Sequence, residues 1–159
     1  MIVFKRILLL CVFLSSGFAF AESAAPAATA LEVFKSPSCG CCGKWVKHLE
    51  DNGFTASVQH PSNLNETKAA LGIPANLSSC HTGVSAEGYF FEGHVPASVV
   101  AKFLSQPPAD AAGLAVPGMP AGSPGMEMGG QFTPYNVMLV KKDGSSEIFA
   151  SMMSYSDQF

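Results

Sequence analysis

Leu31-Glu32-Val33-Phe34-Lys35-Ser36-Pro37-Ser38-Cys39-Gly40-Cys41-Cys42-Gly43-Lys44-Trp45-Val46-Lys47-His48-Leu49-Glu50-Asp51-Asn52-Gly53 holds, in order, an apolar strand, a cysteine-rich turn and an amphipathic helix. Leu31 to Lys35 reads as a short strand. The helix is expected from about Gly43 to Asn52, because Cys42, Val46 and Leu49 fall at i, i+4 and i+7 and share one face. Gly53 ends it. The three cysteines therefore stand between a strand and a helix N-terminus.

Working outward, Phe54 to Gln59 alternates as a second strand. Asn63 and Glu66 form a capping pair for a second helix that Gly72 and Pro74 stop, with Leu64 and Leu71 on one face. Cys80-His81-Thr82-Gly83-Val84 enters a third strand, and Glu87-Gly88 turns the chain into a fourth, Tyr89 to Glu92. Pro96 opens a third helix with Val99, Val100, Phe103 and Leu104 on one face. Residues 109–134, rich in Gly, Pro and Met, read as a long loop. Val137–Lys141 and Glu147–Ala150 then pair around Asp143-Gly144. The order predicts one α+β domain over residues 31–153, a small central sheet with flanking helices and a C-terminal β-hairpin, followed by a tail at 154–159.

The chain has 159 residues, which suits one domain of ordinary size. Its 48% hydrophobic content is inflated by the first residues. Lys5 and Arg6 precede an apolar run from Ile7 to Leu14, and Ala19-Phe20-Ala21 makes a small-x-small pattern. That is the layout of a secretory signal cut after Ala21, with an apolar run too short to span a bilayer. Residues 22–30 are a low-complexity linker. Loss of Lys5 and Arg6 makes the mature chain more acidic than the formal charge of −3. With no basic run, nucleic acid is a poor partner, and no segment remains to cross a membrane.

Export implies an oxidising compartment, where the four cysteines that remain once Cys11 leaves with the signal would usually be two structural disulfides. The spacing argues otherwise. Cys39 and Cys42 form a C-x-x-C, the arrangement of a dithiol redox site, and Cys39 and Cys41 form a C-x-C chelate. A helix N-terminus favours thiolate, which is both nucleophile and metal ligand. An adjacent Cys41–Cys42 bridge would be strained. If the third strand runs antiparallel to the first, Cys80 lies where the first strand finishes and faces the cysteine turn.

Residues Val33 to Trp45, together with Cys80-His81-Thr82, Glu92-Gly93-His94-Val95-Pro96-Ala97 and Gly118-Met119-Pro120-x-Gly122-Ser123-Pro124-Gly125-Met126-Glu127, resemble the small exported copper-resistance proteins of the CopG type. The likeness runs from about residue 31 to 151. It implies a thioredoxin-like fold, a role in copper tolerance, and copper held by cysteine thiolates as a multinuclear cluster. Cys39, Cys41, Cys42 and Cys80 match the family's cysteines one for one.

Thiolates select Cu(I), zinc or iron–sulfur clusters. A single tetrahedral zinc is awkward for the adjacent Cys41 and Cys42, whose side chains diverge. Four thiolates carry a charge of −4, which several Cu(I) ions cancel where uncompensated charge is costly. An exported chain rarely receives an iron–sulfur cluster. The rival is a periplasmic thiol–disulfide oxidoreductase with Cys39 as nucleophile and Cys42 as resolving thiol. Such enzymes place a cis-proline before the third strand, where this chain has Ser79-Cys80-His81. A third expectation is a copper chaperone to an export or oxidase partner.

His81 is the candidate for an extra ligand or proton carrier. Met119, Met126 and Met128 offer thioether sulfur from the long loop, or pack it over the sheet. His94 reads as fixing the start of the third helix. His48 and His60 read as surface residues, and Trp45 as core or a lid on the site. No Ser-His-Asp order, paired carboxylates or phosphate loop stands out.

Overall fold

A computed structural model describes residues 29–159. The signal segment and nearly all of the linker, 1–28, lie outside the described residues. The strands are β1 Ala30–Lys35, β2 Thr55–Gln59, β3 His81–Ser85, β4 Phe90–Glu92, β5 Ala111–Ala115, β6 Tyr135–Lys141 and β7 Ser146–Met152. The helices are α1 Gly40–Asp51, α2 Leu64–Ala70 and α3 Ala97–Ser105. One mixed sheet runs β2-β1-β3-β4-β5-β6-β7. β1–β2 and β4–β5 are parallel, and the other pairs are antiparallel. This is the expected α+β class with its C-terminal hairpin. No described helix is long and apolar enough to cross a membrane.

The sheet buries both faces. Phe91, Leu114 and Leu139 pack with Trp45, Val46 and Leu49 of α1 and Val99, Val100 and Phe103 of α3. Their neighbours Phe90, Ala115 and Val140 point the other way and meet Ile73 and Leu77. That alternation is the pleat of a strand. Gly83 on β3 leaves room for the Trp45 ring, since a Cβ there would stand 3.0 Å from it. The indole N–H donates to the Val95 carbonyl at 2.8 Å, so the ring is core and not a movable lid.

Three expectations need correction. The span 109–134 is not one loop, because Ala111–Ala115 forms β5 between β4 and β6. Its side chains are small, and Gly113 lets the Phe90 carbonyl approach to 2.1 Å of where a Cβ would be. Composition there resembles a loop because packing space, not β-propensity, selects the residues. Residues 154–159 are no loose tail. Tyr155–Gln158 make a 3₁₀ turn, and buried Gln158 accepts from the Tyr135 hydroxyl at 2.6 Å and donates to the Gly122 carbonyl at 3.0 Å. On α2, the buried residue is Lys68, with Leu64 and Leu71 only half-buried.

Candidate metal centre

α1 begins at Gly40, three residues before its expected start, and Cys39 is its N-cap. The Cys39 sulfur accepts from the Cys42 backbone N–H at 3.4 Å. A sulfur thus takes the place that serine or aspartate usually fills at a helix start. Cys41 is on the first turn, its sulfur 3.5 Å from that of Cys39. Cys42 points inward and is fully buried, while Cys39 and Cys41 are half-buried.

β3 does run antiparallel to β1, with Lys35 opposite His81. Cys80 therefore sits beside the end of β1, and the Cys42 sulfur lies 3.7 Å from its carbonyl. All four cysteine sulfurs lie within 4.8 Å of one another. Cys39 and Cys42 are joined by a disulfide, while Cys41 and Cys80 are free.

The wall behind Cys80 is a buried polar network. Glu92 is fully buried and takes hydrogen bonds from Lys68 Nζ, from Ser79 N at 2.5 Å and from Thr82 Oγ1 at 2.5 Å. Lys68 is itself 4% exposed. Glu92 thus ties α2 and β3 to the residue immediately before Cys80.

His81 is buried, with Nδ1 at 3.1 Å from the Cys80 sulfur and its ring 4.3 Å from that of Trp45. Burial, with the Lys68 charge adding to it, holds His81 well below the ordinary imidazole range. Burial also lowers His94. Both rings are therefore neutral near pH 7. Burial, reinforced by Cys41, pushes the Cys80 thiol up to about 11. Without a cation Cys80 is a thiol, and ligating a cation releases its proton.

The loop that carries the three methionines borders this cluster: Ser79 Oγ, beside Cys80, donates to the Gly118 carbonyl at 2.5 Å, and Gly125 lies against the Cys41 carbonyl. Met119 and Met128 are more than half exposed, at 53% and 57%, and Met126 is half-buried. Lys35 turns its ammonium to the Ser36 carbonyl at 2.8 Å. His48, expected as a surface residue, is half-buried and its Nε2 accepts from the Ala97 N–H at 3.0 Å. It, and not His94, secures the start of α3. His60 Nδ1 meets the Lys35 carbonyl at 2.9 Å.

His94 is what sequence reasoning misplaced. It is fully buried, with Nε2 at 3.3 Å from the Cys80 sulfur. The signal was present in the β3–β4 hairpin: Thr82 pairs with Glu92, so two residues further out Cys80 meets His94.

A mixed sheet with four cysteine sulfurs converging at a strand-to-helix junction defines a small α+β protein built around a cysteine site. Residues 77–126 match the family model described as a protein of unknown function, DUF411. No curated protein sequence matches the chain significantly. Two solved structures resemble it closely. One is titled copper resistance protein copG, form 1, with 42% identity, a TM-score of 0.75, and coverage of 80% of this chain and 99% of that one. The other, form 2, has 43% identity, a TM-score of 0.74, and coverage of 78% and 98%. The chain belongs to the CopG copper resistance protein family.

Proposed function

We propose that this is an exported, periplasmic copper-binding protein of copper resistance. In it, Cys39, Cys41, Cys42 and Cys80 hold Cu(I) ions as a multinuclear thiolate cluster. The observation that carries this is the approach of all four sulfurs to within 4.8 Å of one another. Cys41 and Cys42, adjacent in sequence, suit bridging positions better than two corners of one tetrahedron. Soft thiolates favour Cu(I), and several cations neutralise them in a half-buried site. The names of the two similar structures point the same way.

The cage opens to metal when the Cys39–Cys42 disulfide is reduced. That takes two electrons and two protons from an external thiol reductant. In this reading bound copper also passes between Cu(I) and Cu(II), one electron per ion going to or coming from an external redox partner. Copper ions are the cargo, and an export or oxidase protein is the partner that would receive them.

The disulfide favours a second reading, a thiol–disulfide oxidoreductase with Cys39 attacking and Cys42 resolving. X-ray absorption of the reduced, copper-loaded chain separates the two. Sulfur neighbours together with copper–copper distances support the cluster. Absence of copper–copper scattering, with metal-free protein reducing a model disulfide and Cys39→Ser losing that activity, supports the enzyme.

A further inference from the structure

The sheet has two edge strands, β2 and β7, and they are built differently. β7 carries Glu147, and its register breaks where Val137 pairs with Ala150 and Met138 with Ile148, leaving Phe149 as a bulge. A charge and a bulge are common means by which an edge refuses a further strand. β2, Thr55-Ala56-Ser57-Val58-Gln59, has no charge, no proline and no bulge, and it registers with β1 without a break. Ala56 is half-buried and the other four residues are exposed, Val58 at 40%. Among the described residues, nothing pairs with its outer edge.

The backbone shows which groups that edge presents. The Thr55 N–H donates to the Thr29 carbonyl, so Thr55 turns its backbone groups toward β1. Alternate residues of a strand turn the same way, so Ser57 and Gln59 follow. The N–H and C=O of Ala56 and Val58 therefore point away from the sheet.

The side chains of β2 are symmetric about Ser57: polar, apolar, polar, apolar, polar. Lay a second copy antiparallel against the edge, with Ser57 on the two-fold axis. Ala56 of each chain then stands opposite Val58 of the other. These are the residues with outward backbone groups, so each of the two pairs exchanges both of its hydrogen bonds. Ala56 and Val58 register with Leu31 and Val33, so the apolar pairs extend the core side of the sheet. Thr55 falls opposite Gln59 on the other face, polar against polar. A slip of one residue would set outward backbone groups against inward ones and lose the ladder. Charge does not oppose the match. Glu32, in register with Ser57, would lie three strand spacings from its copy, about 14 Å, beyond a screening length of about 8 Å.

We infer that β2 is a self-association edge, at which two copies of this chain join antiparallel about Ser57 into one continuous sheet. The same surface on both copies makes a closed two-fold dimer. The joint is short, so the dimer is weak and depends on concentration. β1 and β2 are parallel, with Phe34 beside Gln59, so the cysteine turn lies toward the Gln59 end of β2. The two-fold sends the two cysteine turns to opposite ends of the joint sheet. Association is therefore independent of what the cysteines hold.

Sedimentation equilibrium of the purified protein should show reversible monomer–dimer exchange below about 1 mM chain. Val58→Lys places a charge on the edge, and Val58→Pro removes an outward N–H without touching a bond to β1. Each should weaken the dimer at least about tenfold and leave the circular dichroism of the fold unchanged. Ser57→Cys reads the axis directly. Opposed residues that share no hydrogen bond bring their Cα atoms to about 4.5 Å, inside the range of about 4.4–6.8 Å that a disulfide spans. Under mild oxidation this variant should give a covalent dimer joined through position 57, located by peptide mass spectrometry. Thr55→Cys should not couple to itself, because its two copies would stand about 14 Å apart. Copper per chain should be equal in the parent and in Val58→Lys. Protein that stays monomeric up to about 1 mM overturns the inference. So does a dimer equally strong in both Val58 variants, or Thr55→Cys coupling as readily as Ser57→Cys.

Discussion

Glu92→Gln should destabilise the protein severely although it changes one atom. Glu92 is the only counter-ion in contact with the buried Lys68 ammonium among the described residues, and it also accepts from Ser79 N and Thr82 Oγ1. A glutamine can keep its oxygen toward Lys68 and Ser79 and turn its amide toward Thr82. It cannot supply the charge. Breaking a buried pair by removing one partner typically costs about 3–5 kcal/mol, and the retained hydrogen bonds favour the lower end, about 3 kcal/mol. For a domain of this size, that lowers the melting midpoint by roughly 10–15 °C. Lys68→Met should cost a similar amount, because it strands the carboxylate. The double variant removes both charges, so it should be milder than the sum of the singles by about 2 kcal/mol. Urea unfolding of the parent, both singles and the double at pH 7 measures the cycle. A Glu92→Gln protein within 1 kcal/mol of the parent, or strictly additive singles, would refute the reasoning. Copper loading supplies a second readout, since Glu92 holds the backbone next to Cys80.

Three further expectations concern the same region. Gly125 has φ +87°, and a Cβ there would stand 2.7 Å from the Cys41 carbonyl oxygen and 2.9 Å from Trp45 N, so Gly125→Ala should cost about 2–3 kcal/mol and reduce copper loading. Gly118→Ala, at φ +70° but in open space, should cost only about 1 kcal/mol; equal thermal melts for the two would contradict the clash. Burial holds Cys80 at about 11 against an ordinary 9.0, so its contribution to stability is complete below pH 9 and is lost as pH rises to 11. Metal-free, disulfide-bonded protein should melt progressively lower across that window, and Cys80→Ser should flatten the slope. Burial lowers His48 from 6.5, and its Nε2 must stay unprotonated to accept from Ala97 N. Its contribution is present above pH 6.5 and lost on acidification, so the urea midpoint should fall below pH 6.5, and less steeply in His48→Gln.

Much of the site was legible because local signals and topology agreed. Leu31–Lys35 running into a cysteine turn placed three thiols at a strand end. The antiparallel return of β3 then brought Cys80 to them from a distance of 38 residues. What stayed hidden depended on packing. β5 is built from Ala111, Ala112, Gly113, Leu114 and Ala115, small residues chosen by close strand approach, and nothing in their local preference announces a strand. Lys68 is a helix residue whose burial depends on a partner 24 positions away, Glu92, which pairs with it across α2 and β4. Gln158 looked like a chain end until Tyr135 and Gly122 gave it partners. His94 required the register of the β3–β4 hairpin, which motif spacing alone does not give.

The central claim is that four thiols act as one metal cage. The most direct measurement is copper content and free-thiol count on reduced, anaerobically loaded full-length chain, beside Cys80→Ser. The account predicts several copper ions per chain, thiols masked while copper is bound, and loading that collapses in Cys80→Ser. A single zinc, or copper retained undiminished by Cys80→Ser, would contradict it.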